Sequence, residues 1–89
     1  MENTKSDIID KYSKDGIVNL LPSKRNKRQI VLEYLSTKFE NDKVYNEKEV
    51  NEILLSWHSF SDPELLRREL CVYGFLSRTR DGSEYRKAN

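Results

Sequence analysis

Between Tyr45 and Lys87 the chain passes through a short apolar pair, two helical patterns, a glycine stop and a hairpin with basic arms, an order that few small folds accept. Asn41 and Asp42 mark a turn, after which Val44 and Tyr45 form a brief strand. Asn46 is answered three residues later by Glu49, the capping-box spacing, and Val50, Ile53, Leu54 and Trp57 then recur at the intervals of a helix laid on a core. Ser61 or Asp62 caps the next helix, with Pro63 at its first position, where a missing N–H costs nothing. Its inner face is Leu66, Leu70 and Tyr73 with Leu65 beside them; Glu64, Arg67, Arg68 and Cys71 fall on the opposite side, and Gly74 ends it. Phe75 and Leu76 open a strand that continues through Arg80, Asp81-Gly82 makes a tight turn, and Glu84, Tyr85 and Arg86 return antiparallel. An isolated hairpin is marginal in water, so Phe75, Leu76 and Tyr85 must pack on the helices, and Val44-Tyr45 can join the sheet as a third member.

Upstream, Ser23 is an N-cap for a helix through about Lys38, whose buried stripe is Val31, Leu32, Leu35 and Phe39. Ile8, Ile9 and Tyr12 allow a short amphipathic helix from Ser6 to Lys14, with Gly16 as its left-handed stop, and Ile17, Val18, Leu20 and Leu21 make an apolar connection that Pro22 ends. The order predicts an α+β chain of winged helix-turn-helix type: three core helices, a small antiparallel sheet whose hairpin is the wing, and an extra N-terminal helix as an option. Residues 1–16 are then an N-terminal segment and 17–89 the winged-helix-like domain.

Size and composition narrow the functional classes. At 89 residues there is room for one domain with a modest core, since even a 60-residue domain hides only about 60% of its unfolded surface. Charged residues make up 35% and apolar ones 36%, a balance that suits a globular unit with a heavily solvated exterior rather than a disordered tail. No apolar run approaches the roughly 20 residues of a spanning helix, Met1–Lys5 lacks the pattern of a secretory leader, and Cys71 is the sole cysteine, so the expectation is a cytoplasmic protein with no membrane partner. Net charge is only +1, but residues 24–38 carry five basic groups against one acidic, and 75–89 four against two.

The segments Leu21-Pro22-Ser23-Lys24-Arg25, Tyr45-Asn46-Glu47-Lys48-Glu49-Val50-Asn51, Leu66-Arg67-Arg68-Glu69-Leu70 and Gly74-Phe75-Leu76-Ser77-Arg78, closed by Gly82 and Tyr85, resemble an uncharacterised bacterial group, domain-of-unknown-function family 2087. The likeness covers roughly residues 17 to 87. It implies small bacterial domains, alone or joined to helix-turn-helix regulators, with winged-helix-like character and no established activity, and so by analogy transcriptional regulation.

The basic residues carry two readings. Arg67 and Arg68, on the helix a winged helix lays in the major groove, suit guanine edges or phosphates; equally, one of them can pair with Asp62, Glu64 or Glu69, or with an acid of the preceding helix. Arg78 and Arg80, placed on one strand face by alternation, together with Arg86 and Lys87, suit a wing on the phosphate backbone, or an edge strand protected by charge. Lys24, Arg25, Lys27 and Arg28 oppose the dipole at a helix start, which an acidic surface, the helix bearing Glu47, Glu49 and Glu52, or a DNA phosphate would offset. His58 lacks a companion at metal-ligand spacing and reads as a turn residue, Trp57 as core, and Cys71 as an ordinary thiol. No phosphate loop, His-Glu-x-x-His pair, Cys-x-x-Cys or serine elbow appears, so no catalytic, cofactor or metal site is expected and the chain is not read as an enzyme.

The leading functional expectation is a DNA-binding winged-helix transcriptional regulator that uses Arg67, Arg68, Arg78, Arg80, Arg86, Lys87, Lys24, Arg25 and Lys27 on duplex DNA. Engaging about four to six phosphates would give a log-log salt slope of about −4 to −5. The alternative is a non-catalytic interaction module that docks an acidic protein partner, favoured if Arg67 and Arg68 are held in internal ion pairs. A homodimer is compatible with either, although no dimer helix is evident beyond Ser6 to Lys14.

Overall fold

Thr4 opens the part of the chain, residues 4–88, that the computed structural model describes; Met1–Asn3, read above for a leader pattern, and Asn89 lie outside it. The Thr4 hydroxyl accepts the Asp7 N–H at 3.1 Å and the Asp7 carboxylate accepts the Thr4 N–H at 3.2 Å. This reciprocal cap starts α1 (Lys5–Tyr12) one residue ahead of the expected boundary, and Ile8 is its buried residue. The helix does not stop on Gly16. Strands β1 (Ser13–Lys14) and β2 (Ile17–Val18) pair antiparallel around Asp15 and Gly16, both at positive φ (53° and 83°), the signature of a type I′ hairpin turn. Ile17-Val18 is therefore a strand rather than a plain connection, and Val18 is only 1% exposed.

Helix α2 (Arg25–Ser36) takes Lys24, not Ser23, at its N-cap position, without a side-chain cap. The entry is fixed instead by Arg28, whose Nε donates to the buried Pro22 carbonyl at 2.8 Å. Val31, Leu32 and Leu35 form its buried seam, which Phe39 extends beyond the helix. After β3 (Val44–Tyr45), α3 (Glu47–Trp57) begins with the expected capping box: Asn46 accepts the Glu49 N–H at 2.8 Å and Glu49 the Asn46 N–H at 2.9 Å. Val50 and Leu54 are fully buried. His58 follows, in the turn as expected but buried, and its backbone forms a parallel bridge to Val18.

Helix α4 (Pro63–Val72) is capped by Asp62, which accepts the Leu65 N–H at 3.2 Å. It ends in a Schellman motif, the Phe75 N–H on the Leu70 carbonyl (2.8 Å) and the Gly74 N–H on that of Cys71 (3.1 Å). Nothing lies within 4 Å of where a Cβ on Gly74 would stand, so glycine is needed there for its φ of 81° and not for space.

Strands β4 (Leu76–Arg78) and β5 (Tyr85–Lys87) complete a three-stranded antiparallel sheet of order β3-β5-β4, so Val44-Tyr45 does join the hairpin as the third member. Leu76, Tyr85 and Tyr45 point inward, and Tyr45 meets Phe39 edge to face at 5.3 Å. Leu66 and Leu70 close the same core from α4. The fold is thus α+β, with four helices and two small antiparallel sheets among the described residues.

Candidate nucleic-acid interface

Helical spacing divides α4 into three flanks around its buried leucines, one toward α2, one toward α3 and one facing outward. On the α2 side, Glu69 pairs with Arg28, their side chains only 17% and 26% exposed, and the Arg25 guanidinium lies 5.2 Å over the Tyr73 ring. These contacts answer the electrostatic conflict at the start of α2: one of its four cations has an α4 carboxylate and another an aromatic face. Among the described residues no acid of α3 pairs with these cations.

On the α3 side, Arg67 donates to the Asn51 amide oxygen at 2.6 Å and meets the Glu47 carboxylate at 3.0 Å, with its own side chain 16% exposed. Arg67 therefore fastens α4 to α3 rather than projecting outward, the outcome in which an arginine pairs with an acid of the preceding helix. Glu47 is 56% exposed, so solvent weakens the ion pair and the Asn51 hydrogen bond is the firmer anchor. Asn51 sits at i+4 from Glu47, one turn along the same face, a spacing visible in the sequence but without meaning until α4 is known to cross there.

The outward flank presents Arg68, which is exposed and carries no ion pair among the described residues, flanked by Glu64 and by Val72, 69% exposed. Between this flank and the hairpin opens a cleft of about 560 Å³. Helix α4 supplies Arg67, Arg68, Cys71 and Val72, and the hairpin supplies Arg78, Gly82 and Tyr85. Burial pushes the Cys71 thiol up, with the Arg78 and Arg67 guanidinium groups pulling less strongly the other way, so it stays a neutral thiol among cations.

The strand register sorts the hairpin cations. Arg78 stands opposite Tyr85 and Leu76 opposite Lys87, so Arg78 and the half-buried Lys87 share the inner face. Arg86, opposite Ser77 and Val44, is on the outer face. Strand β4 ends at Arg78, so Arg80 is not on its face by alternation but is exposed in the connecting loop. That loop is wider than a tight Asp81-Gly82 turn: Gly82 donates to the Thr79 carbonyl at 3.0 Å, and Thr79 donates to the Glu84 carbonyl at 3.0 Å. Lys24 and Arg25 are exposed and Lys27 half-buried at the start of α2.

The Asp81 carboxylate organises the loop, accepting the Ser83 N–H at 3.0 Å, the Ser83 hydroxyl at 2.8 Å and the Thr79 hydroxyl at 2.9 Å. These bonds, the backbone one foremost, hold its carboxyl below the usual carboxylate range. Because the folded value is lowered, the contribution is present above the unfolded value of about 3.9 and is lost as the pH falls through the folded one. In an acid titration by NMR, the Ser83 amide resonance is expected to move toward its random-coil position as the pH falls below about 4; a resonance that stays put would show that the carboxylate does not hold the loop.

Residues 18–87 match the family described as uncharacterized protein conserved in bacteria (DUF2087). The chain belongs to this family. The DUF2087 match begins at Val18, the residue that bridges to His58, so the shared unit takes in the sheet, α2 to α4 and the cleft, while α1 and β1 precede it. No curated protein and no solved structure matches the chain. Among the described residues no helix is long and apolar enough to cross a membrane.

Proposed function

We propose that the protein is a winged-helix regulator that binds duplex DNA, with α4 in the major groove and the β4–β5 hairpin as the wing on the backbone. The order α2-β3-α3-α4-β4-β5 with sheet order β3-β5-β4 supports the fold part of this reading. The observation that carries the functional part is the shared cleft, where Arg68 from the helix and Arg78 from the hairpin open onto one space. Arg67 is a positioning residue in this account, and Arg86 faces away. The contact set becomes Arg68, Arg78, Arg80, Arg25 and the α2 lysines, and about four phosphates would give a salt slope of about −3 to −4.

Arg68→Ala is expected to weaken binding of a mixed-sequence duplex several-fold, to lower the salt slope by about 1 and to leave stability within about 0.5 kcal/mol. Arg67→Ala is expected to cost about 1–2 kcal/mol of stability instead. Fluorescence anisotropy at low and moderate salt, paired with urea unfolding, separates the two. Absence of duplex binding even at low salt would end the DNA reading.

The second reading, a module that docks an acidic protein partner without catalysis, is favoured by the internal pairing of Arg67 and by Val72 standing exposed beside Arg68. In that case a glutamate-rich peptide, and not the duplex, would titrate the cleft.

A further inference from the structure

The charges that line the cleft are not equally engaged. Of its two carboxylates, Glu47 lies against Arg67, and Asp81 accepts three hydrogen bonds from Thr79 and Ser83. Neither neutralises Arg68 or Arg78, which have no ion-pair partner among the described residues. Arg78 bends back toward its own loop: its Nη1 lies 3.4 Å from the point where a Cβ on Gly82 would stand, near the cleft wall. Two cations on two different elements face one space whose lining carries the guanidinium groups of Arg67, Arg68 and Arg78 against the carboxylates of Glu47 and Asp81, and so form a pincer for an anion. The guanidinium fork suits the oxygens of a phosphate, to which it can donate two parallel hydrogen bonds.

We infer that the cleft between α4 and the β4–β5 hairpin is a phosphate-binding site, with Arg68 and Arg78 as its two arms and Cys71 and Val72 as the wall between them. The inference rests on the DNA reading for the source of that phosphate, a single backbone phosphate of the duplex seated between helix and wing. At about 560 Å³ the cleft has room for the flanking sugars as well as the phosphate. A neutral thiol on the wall adds no repulsion, and the exposed methyl groups of Val72 give a sugar an apolar surface. The site thereby fixes the path of the strand: it runs along the groove between α4 and the loop 79–84, so the outer face with Arg86 stays in solvent.

The same chemistry would accept a free phosphorylated small molecule, and the test separates the two sources. Two-dimensional NMR is recorded on the whole chain with inorganic phosphate alone, then with a mixed-sequence duplex. Expected is a saturable response of the Cys71, Val72 and Gly82 amides and of the Arg68 and Arg78 Nε–H groups to both probes, with Gly16 unmoved. Arg78→Gln and, independently, Arg68→Gln are expected to weaken that response about tenfold, the loss of one charge-assisted hydrogen-bonded contact. Arg86→Gln, on the opposite face of the same sheet, leaves it unchanged. A phosphate response spread evenly over Gly16 and the Arg86 side chain, or cleft variants that titrate like the parent, would overturn the inference. If the duplex binds without moving the cleft amides, the phosphate site is overturned while the DNA reading stands. If phosphate saturates the cleft and the duplex does not bind, the DNA reading falls and the site belongs to a free phosphorylated ligand.

Discussion

Leu70→Ala is expected to lower the unfolding free energy by at least about 3 kcal/mol, within the range for a buried leucine whose removal leaves a cavity. Leu70 is fully buried, in a core that α2, α3, α4 and the sheet all enter, so the lost methyl groups leave a cavity bounded by several elements rather than a gap that one helix can close. Its backbone carbonyl still receives the Phe75 N–H, and the Schellman turn is therefore not the cause of the loss. A chain of 89 residues has about 4–13 kcal/mol in all, so the substitution removes a large share of it. Thermal unfolding followed by circular dichroism should show a midpoint lower by about 12–24 °C. A drop of less than 5 °C would mean that Leu70 does not seat α4 in this core.

His58→Ala is expected to cost about 2–4 kcal/mol through a different mechanism, two backbone groups losing partners at once. The Asp62 N–H can only donate, and at 2.9 Å it points at Nε2, so Nε2 accepts; Nδ1 then carries the proton and donates to the Leu54 carbonyl at 2.6 Å. One imidazole thus closes the end of α3 and the start of α4 together, its ring centroid 4.6 Å from that of Phe60 at a steep interplanar angle and the residue 5% exposed. Alanine reaches neither group. Urea unfolding measures the loss, and hydrogen exchange at the Asp62 amide localises it: faster exchange there than at Leu35 is the expected pattern, while a loss below 1 kcal/mol would show the imidazole to be dispensable.

These two residues also mark how far the sequence could be read. Leu70 lies on a stripe set by helical spacing, and the Asn46-Glu49 box, the Asp62-Pro63 start and the Gly74 stop are all signals completed within a few residues, which is why they were legible. The β1–β2 hairpin is not legible in the sequence although Asp15-Gly16 is a type I′ pair, because two-residue strands are too short to show alternation and the same glycine suits a helix end. Ser23 looked like a cap, but the start of α2 is set by Arg28 reaching Pro22, a contact that depends on where the helix already stands. In the candidate site the basic residues could be named but not sorted. Arg67 and Arg68 are adjacent and chemically alike, and only the crossing of α3, which brings Asn51 and Glu47 under one of them, makes the first an anchor and the second a free cation. The burial of His58 belongs to the same class, since its partners become visible only when the turn closes under β2.

The position of β5 has a consequence for how the chain acquires its shape. Among the described residues strands β3 and β4 each pair with β5 alone, yet β3 lies some forty residues before it. During synthesis the helices can therefore begin to assemble while both outer strands still wait for their common partner, and the cleft has no second wall until Tyr85 arrives to seat Arg78 across from it. The pincer thus requires β5 to be present, however early α4 is in place.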